Sequence, residues 1–162
     1  MIDTHAHLHL INRNTEDVLA AAKEAGVYHV VQVAIDLPSI HRNLNEYALM
    51  PNCSITGGIH PLSVFDSLEL DEVLAVLNAH VEAFVAIGEI GLDYKYGKDN
   101  MALQKIFFES QLAFARAHEK PVIIHSRHCD EDMLNIVNQY SDVKKVFHCY
   151  ATNYAFFEAL EG

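Results

Sequence analysis

Two histidines separated by one small residue stand near the start of this sequence. His5 and His7 flank Ala6 within the run Ile2-Asp3-Thr4-His5-Ala6-His7. In an extended segment, residues two apart point to the same side, so both imidazoles can converge on one metal ion. Asp3 is close enough in sequence to accept a ring proton from a ligating histidine. The pair predicts a metal site, and the competing interpretation is an exposed polar arm whose histidines have no role.

Further polar residues stand at the ends of predicted β-strands. They are His60, Glu89, His125 and His148. In a parallel α/β protein, the loops of every βα unit meet at the carboxyl edge of the sheet, and sites are built there. Taken singly, each residue has a structural explanation, such as a turn histidine before Pro61 or a core histidine bonded to backbone. Taken together they indicate one site, because the structural explanation requires the same coincidence on several strands.

The chemistry of this residue set is that of two divalent ions. We expect His5 and His7 to hold one ion. His125 and His148 would hold the other, and Glu89 would bridge both, because a carboxylate can span ions about 3.5 to 4 Å apart. Such a pair lowers the pKa of a bound water to roughly 7 and stabilises the attacking and leaving oxygens of a phosphoester. Hydrolysis is therefore the predicted reaction.

Strands and helices alternate along the chain. Strands are predicted for the opening segment and for 27–35, 53–59, 84–87, 122–125 and 144–148, and helices for 15–25, 38–50, 70–80, 100–118, 133–140 and 153–161. The apolar face of the clearest helix is predicted at Leu103, Ile106, Phe107, Phe114 and Ala117. This alternation favours an α/β fold with a parallel sheet, right-handed crossovers and one domain.

Charge and composition narrow the function. The net charge of -11, from 22 acidic and 11 basic residues, argues against a protein that coats nucleic acid or an anionic membrane. A single phosphate at a metal site remains compatible, and Arg127, Lys95 and Lys98 follow the strands that carry the site. Both lysines equally suit solvated loops. No apolar run approaches the ~20 residues of a membrane span, so we expect no membrane partner and a cytoplasmic location.

Five successive motifs resemble those of the TatD-type DNases, which are metal-dependent hydrolases of the amidohydrolase superfamily. The motifs are Ile2-Asp3-Thr4-His5-Ala6-His7, Gly58-Ile59-His60-Pro61, Gly88-Glu89-Ile90-Gly91-Leu92-Asp93-Tyr94, Pro121-Val122-Ile123-Ile124-His125-Ser126-Arg127 and Phe147-His148-Cys149-Tyr150. The resemblance implies a (β/α)8 TIM-barrel-type fold, two divalent ions (zinc, magnesium or manganese) and cleavage of phosphodiester bonds in DNA. Carried over by position, it implies metal ligands at His5, His7, Glu89, His125 and His148. It implies substrate-side residues at His60, Asp93 and Arg127.

The family's last motif, an Asp in a Glu-Thr-Asp context, has no counterpart in this sequence. That Asp would be a metal ligand and base, so the general base is left unassigned. A (β/α)8 barrel needs at least about 200 residues, and this chain supplies about six of eight units. We expect residues 1–162 to form one incomplete barrel, either a truncated product or a natural short form that has lost a ligand. Hydrolysis by this chain is expected to be weak or absent. Open edges on the first and sixth strands are expected to promote self-association.

Three other functions stay open at this point. A small-molecule amidohydrolase or deaminase would use the same histidine and glutamate ligands. A metal-binding protein without activity would account for the missing Asp. A hydrolase that uses Cys149 beside His148 is disfavoured, because neighbours on a strand point to opposite faces. The three cysteines are far apart and predict no disulfide, and Cys149 is expected to be a buried small hydrophobe.

Overall fold

The computed structural model describes residues 1–66, 69–149 and 154–160. Its strands are β1 (Ile2–Ala6), β2 (His29–Gln32), β3 (Cys53–Gly57), β4 (Phe84–Asp93), β5 (Val122–Arg127) and β6 (Lys145–Phe147). Its α-helices are α1 (Thr15–Glu24), α2 (Leu37–Asn45), α3 (Leu70–Ala79), α4 (Met101–Ala117), α5 (Asp130–Val137) and α6 (Tyr154–Ala159). Single turns of 3-10 helix cover Leu8–Leu10, Tyr47–Leu49, Pro61–Ser63, Val81–Ala83, Lys98–Asn100 and Asn138–Tyr140. The first and last residues of the predicted helix 153–161, and Tyr150 of the last motif, lie outside the described residues.

The strands form one parallel sheet in the order of the sequence, β1-β2-β3-β4-β5-β6. Each neighbouring pair is joined by a helical crossover, as parallel pairing requires. The sheet is curled: the ring centroids of His5 on β1 and of His148 just beyond β6 are only 3.4 Å apart. The predicted parallel α/β arrangement is therefore confirmed, and β1 and β6 are the two edges of the described sheet.

The core lies mainly between the sheet and its helices. Alternation along β5 puts Val122 and Ile124 in the apolar cluster shared with α4 and α5, whereas Ile123 packs with Val33 and Ala86 in a small separate cluster. Since successive strand residues point to opposite faces, this small cluster lies on the face of the sheet away from the helices. His125 follows in the same alternation and shares that inner face with Ile123.

Strand β4 is longer than the sequence predicts. The predicted strand 84–87 continues to Asp93, and after a register shift between Ile87 and Ile90 it pairs with β5. The prediction that Glu89 follows its strand was therefore wrong, because Glu89 lies within β4. His125 ends the predicted strand 122–125 and lies within β5, which continues to Arg127. Gly91 has φ +139, and a Cβ there would collide with the His125 carbonyl oxygen. The glycine-rich run 88–91 suggests a loop, but it forms part of β4, and its glycines let the backbone lie close to β5.

Helix α4 turns a different face to the core from the predicted one. Phe107 is buried as predicted, whereas Ile106 is 53% exposed. The buried positions include Gln104 and Gln111, each fully inaccessible to solvent. Because two glutamines occupy core positions, the face of α4 that is buried differs from the face that its apolar residues predict.

The three cysteines are free, and no disulfide was predicted. Cys53 and Cys129 are buried, but Cys149 is exposed, so the expectation that it is a buried hydrophobe was wrong. Strand β6 ends at Phe147, and Cys149 lies in the turn that follows, where its φ is +46. Among the described residues, none of the helices combines the length and apolar character needed to cross a membrane.

Candidate metal centre

Glu89 lies at the centre of a group of histidines on the inner face of the sheet. Its side chain is 3% exposed, and its backbone N–H donates to the Ala34 carbonyl oxygen at 2.9 Å. One carboxylate oxygen, Oε2, lies 3.2 Å from His5 Nε2 and 3.6 Å from His7 Nε2. The other, Oε1, lies 3.1 Å from His125 Nδ1 and 4.0 Å from His60 Nε2. The two oxygens therefore face two different groups of imidazoles.

The first group is built by β1 and the turn after β6. His5 Nε2 and His7 Nε2 are 3.1 Å apart, so both rings converge as the H-x-H spacing predicts. His7 Nδ1 donates to the Val33 carbonyl oxygen at 3.1 Å, which leaves its Nε2 directed at the carboxylate. His148 stacks on the His5 ring. Ligand atoms of His5, Glu89 and His148 all lie within 4.8 Å of one another.

The second group is built by β4, β5 and the turn after β3. Ligand atoms of His60, Glu89 and His125 lie within 4.8 Å of one another. The rings of His60 and His125 meet edge to face, with centroids 4.3 Å apart. The structure thus divides the histidines differently from the predicted pairs, because His148 lies beside His5 and His60 lies beside His125.

Electrostatics keep the central carboxylate ionised. Burial disfavours the charged form of Glu89, yet its hydrogen bonds with His125, His5 and His7 outweigh burial and hold its pKa well below the ordinary value. Burial lowers the pKa of His60 to about 4, so its ring is neutral at neutral pH. Burial also lowers the pKa of His148. At neutral pH these two rings keep the unprotonated nitrogens that a metal ion requires.

Asp93 holds His125 from the side opposite Glu89. Burial lowers the pKa of His125, but the hydrogen bonds with Glu89 and with Asp93 together raise it. Asp93 Oδ2 lies 3.0 Å from His125 Nε2, and the Asp93 side chain is fully buried. The sequence assigned Asp93 to the substrate side, whereas its observed contact fixes the orientation of a histidine ring.

Gln104 is a supporting residue that the sequence analysis missed. Its Oε1 accepts the Asp93 backbone N–H at 2.9 Å, and its Nε2 donates to the carbonyl oxygens of Asp93 and Gly97 and to Asn100 Oδ1. A buried glutamine on α4 therefore fixes the backbone at the end of β4. A glutamine in the apolar stripe of a helix is the signal that could have identified it.

Arg127 lies at the rim rather than in the centre. Its side chain is exposed, and its guanidinium carbon is 5.1 Å from the centroid of the Tyr96 ring. Lys95 Nζ is 5.2 Å from the same centroid. Both cations therefore lie by one ring, and the Arg127 guanidinium offers the paired donors that suit phosphate oxygens.

The residues at the centre fit a pair of divalent ions. The imidazole nitrogens and the ionised carboxylate are donors that zinc and manganese accept. His5 Nδ1 is buried and has no hydrogen-bond partner. Asp3 does not supply that partner, because its carboxylate accepts the backbone N–H of His5 at 3.0 Å instead. The expectation that Asp3 orients a histidine ring was therefore wrong.

Comparison with known proteins finds relatives that are named metal-dependent hydrolases. The profile of the family described as TatD related DNase matches residues 2–161. The uncharacterized metal-dependent hydrolase YabD of Bacillus subtilis is 36% identical over 155 residues, which are 93% of this chain and 60% of that protein. The 3'-5' ssDNA/RNA exonuclease TatD of Salmonella typhimurium is 28% identical over 142 residues, which are 85% of this chain and 54% of that protein.

A solved structure extends the likeness to the fold. The TatD homologue YJJV of Escherichia coli K12 superposes with a TM-score of 0.85 at 25% identity, over 98% of this chain and 63% of that one. The likeness confirms the TIM-barrel-type fold. The chain spans about three fifths of the length of YabD and of YJJV.

Proposed function

This chain belongs to the TatD-related DNase family, as its motifs predict, and from that premise we propose that it is a metal-dependent hydrolase that cleaves phosphodiester bonds in DNA. The observation that carries the proposal is the position of Glu89. Its two oxygens face separate histidine groups, at 3.2 Å from His5 and at 3.1 Å from His125. A buried carboxylate whose two oxygens face separate ligand groups can serve two divalent ions, which is the basis of two-metal hydrolysis.

In this proposal two divalent ions, zinc, magnesium or manganese, are held by five residues. They are His5, His7, Glu89, His125 and His148. When bound, such ions make water a nucleophile at neutral pH and polarise a phosphoryl oxygen. Glu89 would contribute one oxygen to each ion, and the Val33 carbonyl fixes the ring of His7 through its Nδ1. The general base is left unassigned.

Two further residues, Arg127 and His60, act on the substrate side in this proposal, and a third, Asp93, supports a metal ligand. Arg127 binds the phosphate, because its exposed guanidinium can donate two parallel hydrogen bonds to phosphate oxygens. His60 Nε2 lies 4.0 Å from Glu89 Oε1 and can donate to a bound phosphate, because His60 Nδ1 accepts the Leu62 N–H. Asp93 positions His125. The Salmonella relative is named as an exonuclease for single-stranded DNA and RNA, which supports a nucleic-acid substrate.

The test is cleavage of an end-labelled single-stranded DNA oligonucleotide by the purified 162-residue chain. After treatment with a chelator, we expect no cleavage until zinc, magnesium or manganese is restored. Glu89→Gln should reduce the rate roughly 100-fold or more, since even outer partners of metal ligands are worth 10- to 100-fold. His80→Ala removes an exposed histidine at the far end of α3 and should leave the rate unchanged.

Two outcomes would overturn this proposal. Turnover of a cyclic amide or amidine without cleavage of DNA would identify an amidohydrolase or deaminase. Stoichiometric metal binding without turnover of either substrate class would identify a metal-binding protein without activity.

A further inference from the structure

An open cavity lies beside the candidate metal centre, between the loop after β3 and the loop after β4. Its volume is about 330 Å³, within the ~300 to 1,000 Å³ of small-ligand sites. Leu62, Phe65 and Asp66 line it from one loop, and Tyr96, Gly97, Asp99 and Asn100 line it from the other. Each loop begins next to the centre, because Leu62 donates its N–H to His60 Nδ1 at 3.1 Å and Tyr96 donates its N–H to Asp93 Oδ1 at 2.9 Å.

Aromatic rings are exposed around this cavity. Tyr96 is 62% exposed and Phe65 is 53% exposed, although rings of this size usually bury most of their area. The cations of Arg127 and Lys95 lie 5.1 and 5.2 Å from the centroid of the Tyr96 ring. Asp66 and Asp99 line the cavity itself, so the cavity suits an uncharged flat group. The two cations by the Tyr96 ring suit an anionic group attached to it.

The Tyr96 loop is held in one conformation by buried polar groups. Asp93 Oδ1 accepts the backbone N–H groups of Lys95 and Tyr96, at 3.0 and 2.9 Å. Gln104 Nε2 donates to the Gly97 carbonyl oxygen at 2.9 Å. Asn100 donates from its side chain to the Val64 carbonyl oxygen and so ties the two loops together. The ring is therefore presented by a fixed backbone, which lowers the entropy lost when a ligand stacks on it.

We propose that this cavity receives an unpaired nucleobase from the nucleotide next to the phosphate at the metal centre. The inference rests on the proposed function, and it adds a subsite that reads a base face rather than a phosphate. Stacking on Tyr96 and Phe65 requires a free base face, which a base inside a duplex does not offer. Arg127 and Lys95 meet the adjoining phosphates. The substrate favoured by this subsite is a single strand.

The test compares two fluorescent strands with equal numbers of phosphates, a short single-stranded DNA and an otherwise identical strand made of abasic sites. Binding to the full chain is followed by fluorescence anisotropy in the presence of EDTA, so that neither strand is cleaved. The native protein should bind the strand with bases roughly tenfold more tightly than the abasic strand. In Tyr96→Ala this ratio should fall close to one, and Tyr96→Trp should restore it.

The matched control is Tyr28→Ala. Tyr28 is 63% exposed, as Tyr96 is, but it precedes β2 at the opposite end of the sheet, so its removal should leave the tenfold ratio intact. The inference is overturned if the native protein binds both strands equally, or if Tyr96→Ala keeps the native ratio. Because the assay measures no cleavage, a protein that prefers bases but never hydrolyses DNA would refute only the proposed function. A protein that hydrolyses DNA but is indifferent to bases would refute only this subsite.

Discussion

Glu89 is the one side chain that both histidine groups share. Removing its carboxylate removes a ligand from each group, whereas removing one histidine affects only one group. We therefore expect Glu89→Ala to retain less metal per chain than either His5→Ala or His125→Ala. The test is the metal content of each variant after dialysis against a dilute zinc buffer, measured by elemental mass spectrometry. His80→Ala is the control. Equal losses in the three variants would contradict a bridging role.

Arg127 is exposed and contacts the Tyr96 ring rather than the histidines. A guanidinium cannot ligate a cation, so Arg127→Ala should keep its metal while the affinity for inorganic phosphate or a phosphodiester falls roughly tenfold. Titration calorimetry with phosphate, together with metal analysis of the same samples, tests the two halves of this prediction. Arg42→Ala is the comparison, because Arg42 is equally charged but pairs with Glu46 on an exposed helix face. Loss of metal from Arg127→Ala would show that the side chain supports the centre itself.

The residue types of the centre could be predicted from sequence, but their grouping could not. Histidines and a glutamate near the ends of successive strands point to a shared edge, and His5 and His7 converge as alternation requires. The placement of His148 beside His5 depends on how far the sheet curls, which no local pattern encodes. The contact of Asp93 with His125 could not be predicted for a related reason. His125 belongs to another strand, and only pairing in register brings the two side chains together.

At the scale of elements, the end of β4 depends on a residue from the following helix. Gln104 is fully buried and satisfies the backbone of Asp93 and Gly97. Gln104→Leu leaves those groups without partners, so we expect the free energy of unfolding to fall by about 1 to 3 kcal/mol. Urea denaturation followed by circular dichroism measures the loss.

The matched variant for that experiment is Gln139→Leu. Gln139 is exposed and donates to the Asn135 carbonyl oxygen one turn earlier, so its replacement should cost well under 1 kcal/mol. If both variants lose equal stability, the buried contacts of Gln104 contribute nothing beyond a surface hydrogen bond.

The same helix shows where prediction of elements ends. The bounds of α4 agree with the sequence to within a residue at each end, because helix length follows from a long stretch without proline or glycine. Its buried face does not agree, since Gln104 and Gln111 occupy the positions that periodicity reserves for apolar residues. For strand β4, it is the predicted end that disagrees with the structure. Its glycines suggest a loop, and only pairing with β5 reveals them as strand residues.

At the scale of the whole molecule, the described sheet has two edges with exposed apolar side chains. Ile2 on β1 is 60% exposed and Val146 on β6 is 54% exposed. Edge strands of this kind pair readily with other chains. We predict that the 162-residue chain associates as its concentration rises, and that Val146→Lys shifts it towards the monomer. Sedimentation velocity over a concentration series measures the shift.

The control for this prediction is Val85→Lys. Val85 is also a strand valine, 46% exposed, but β4 lies inside the sheet with partners on both sides. Its replacement should leave the association unchanged. A native chain that stays monomeric at every concentration, or equal effects of the two lysines, would show that the edges are not the contact.

The stacked rings of His5, on β1, and His148, just beyond β6, have centroids 3.4 Å apart and so connect the two edges of the sheet at one end. An ion bound by both histidines and Glu89 would cross-link positions near opposite ends of the described chain. In the polymer treatment used for disulfides, closing a loop of that span removes unfolded-state entropy worth about 5 kcal/mol. The ion would thus act as a reversible staple, which a chelator opens without breaking a covalent bond. The thermal stability of the protein then becomes a readout of the free metal concentration around it.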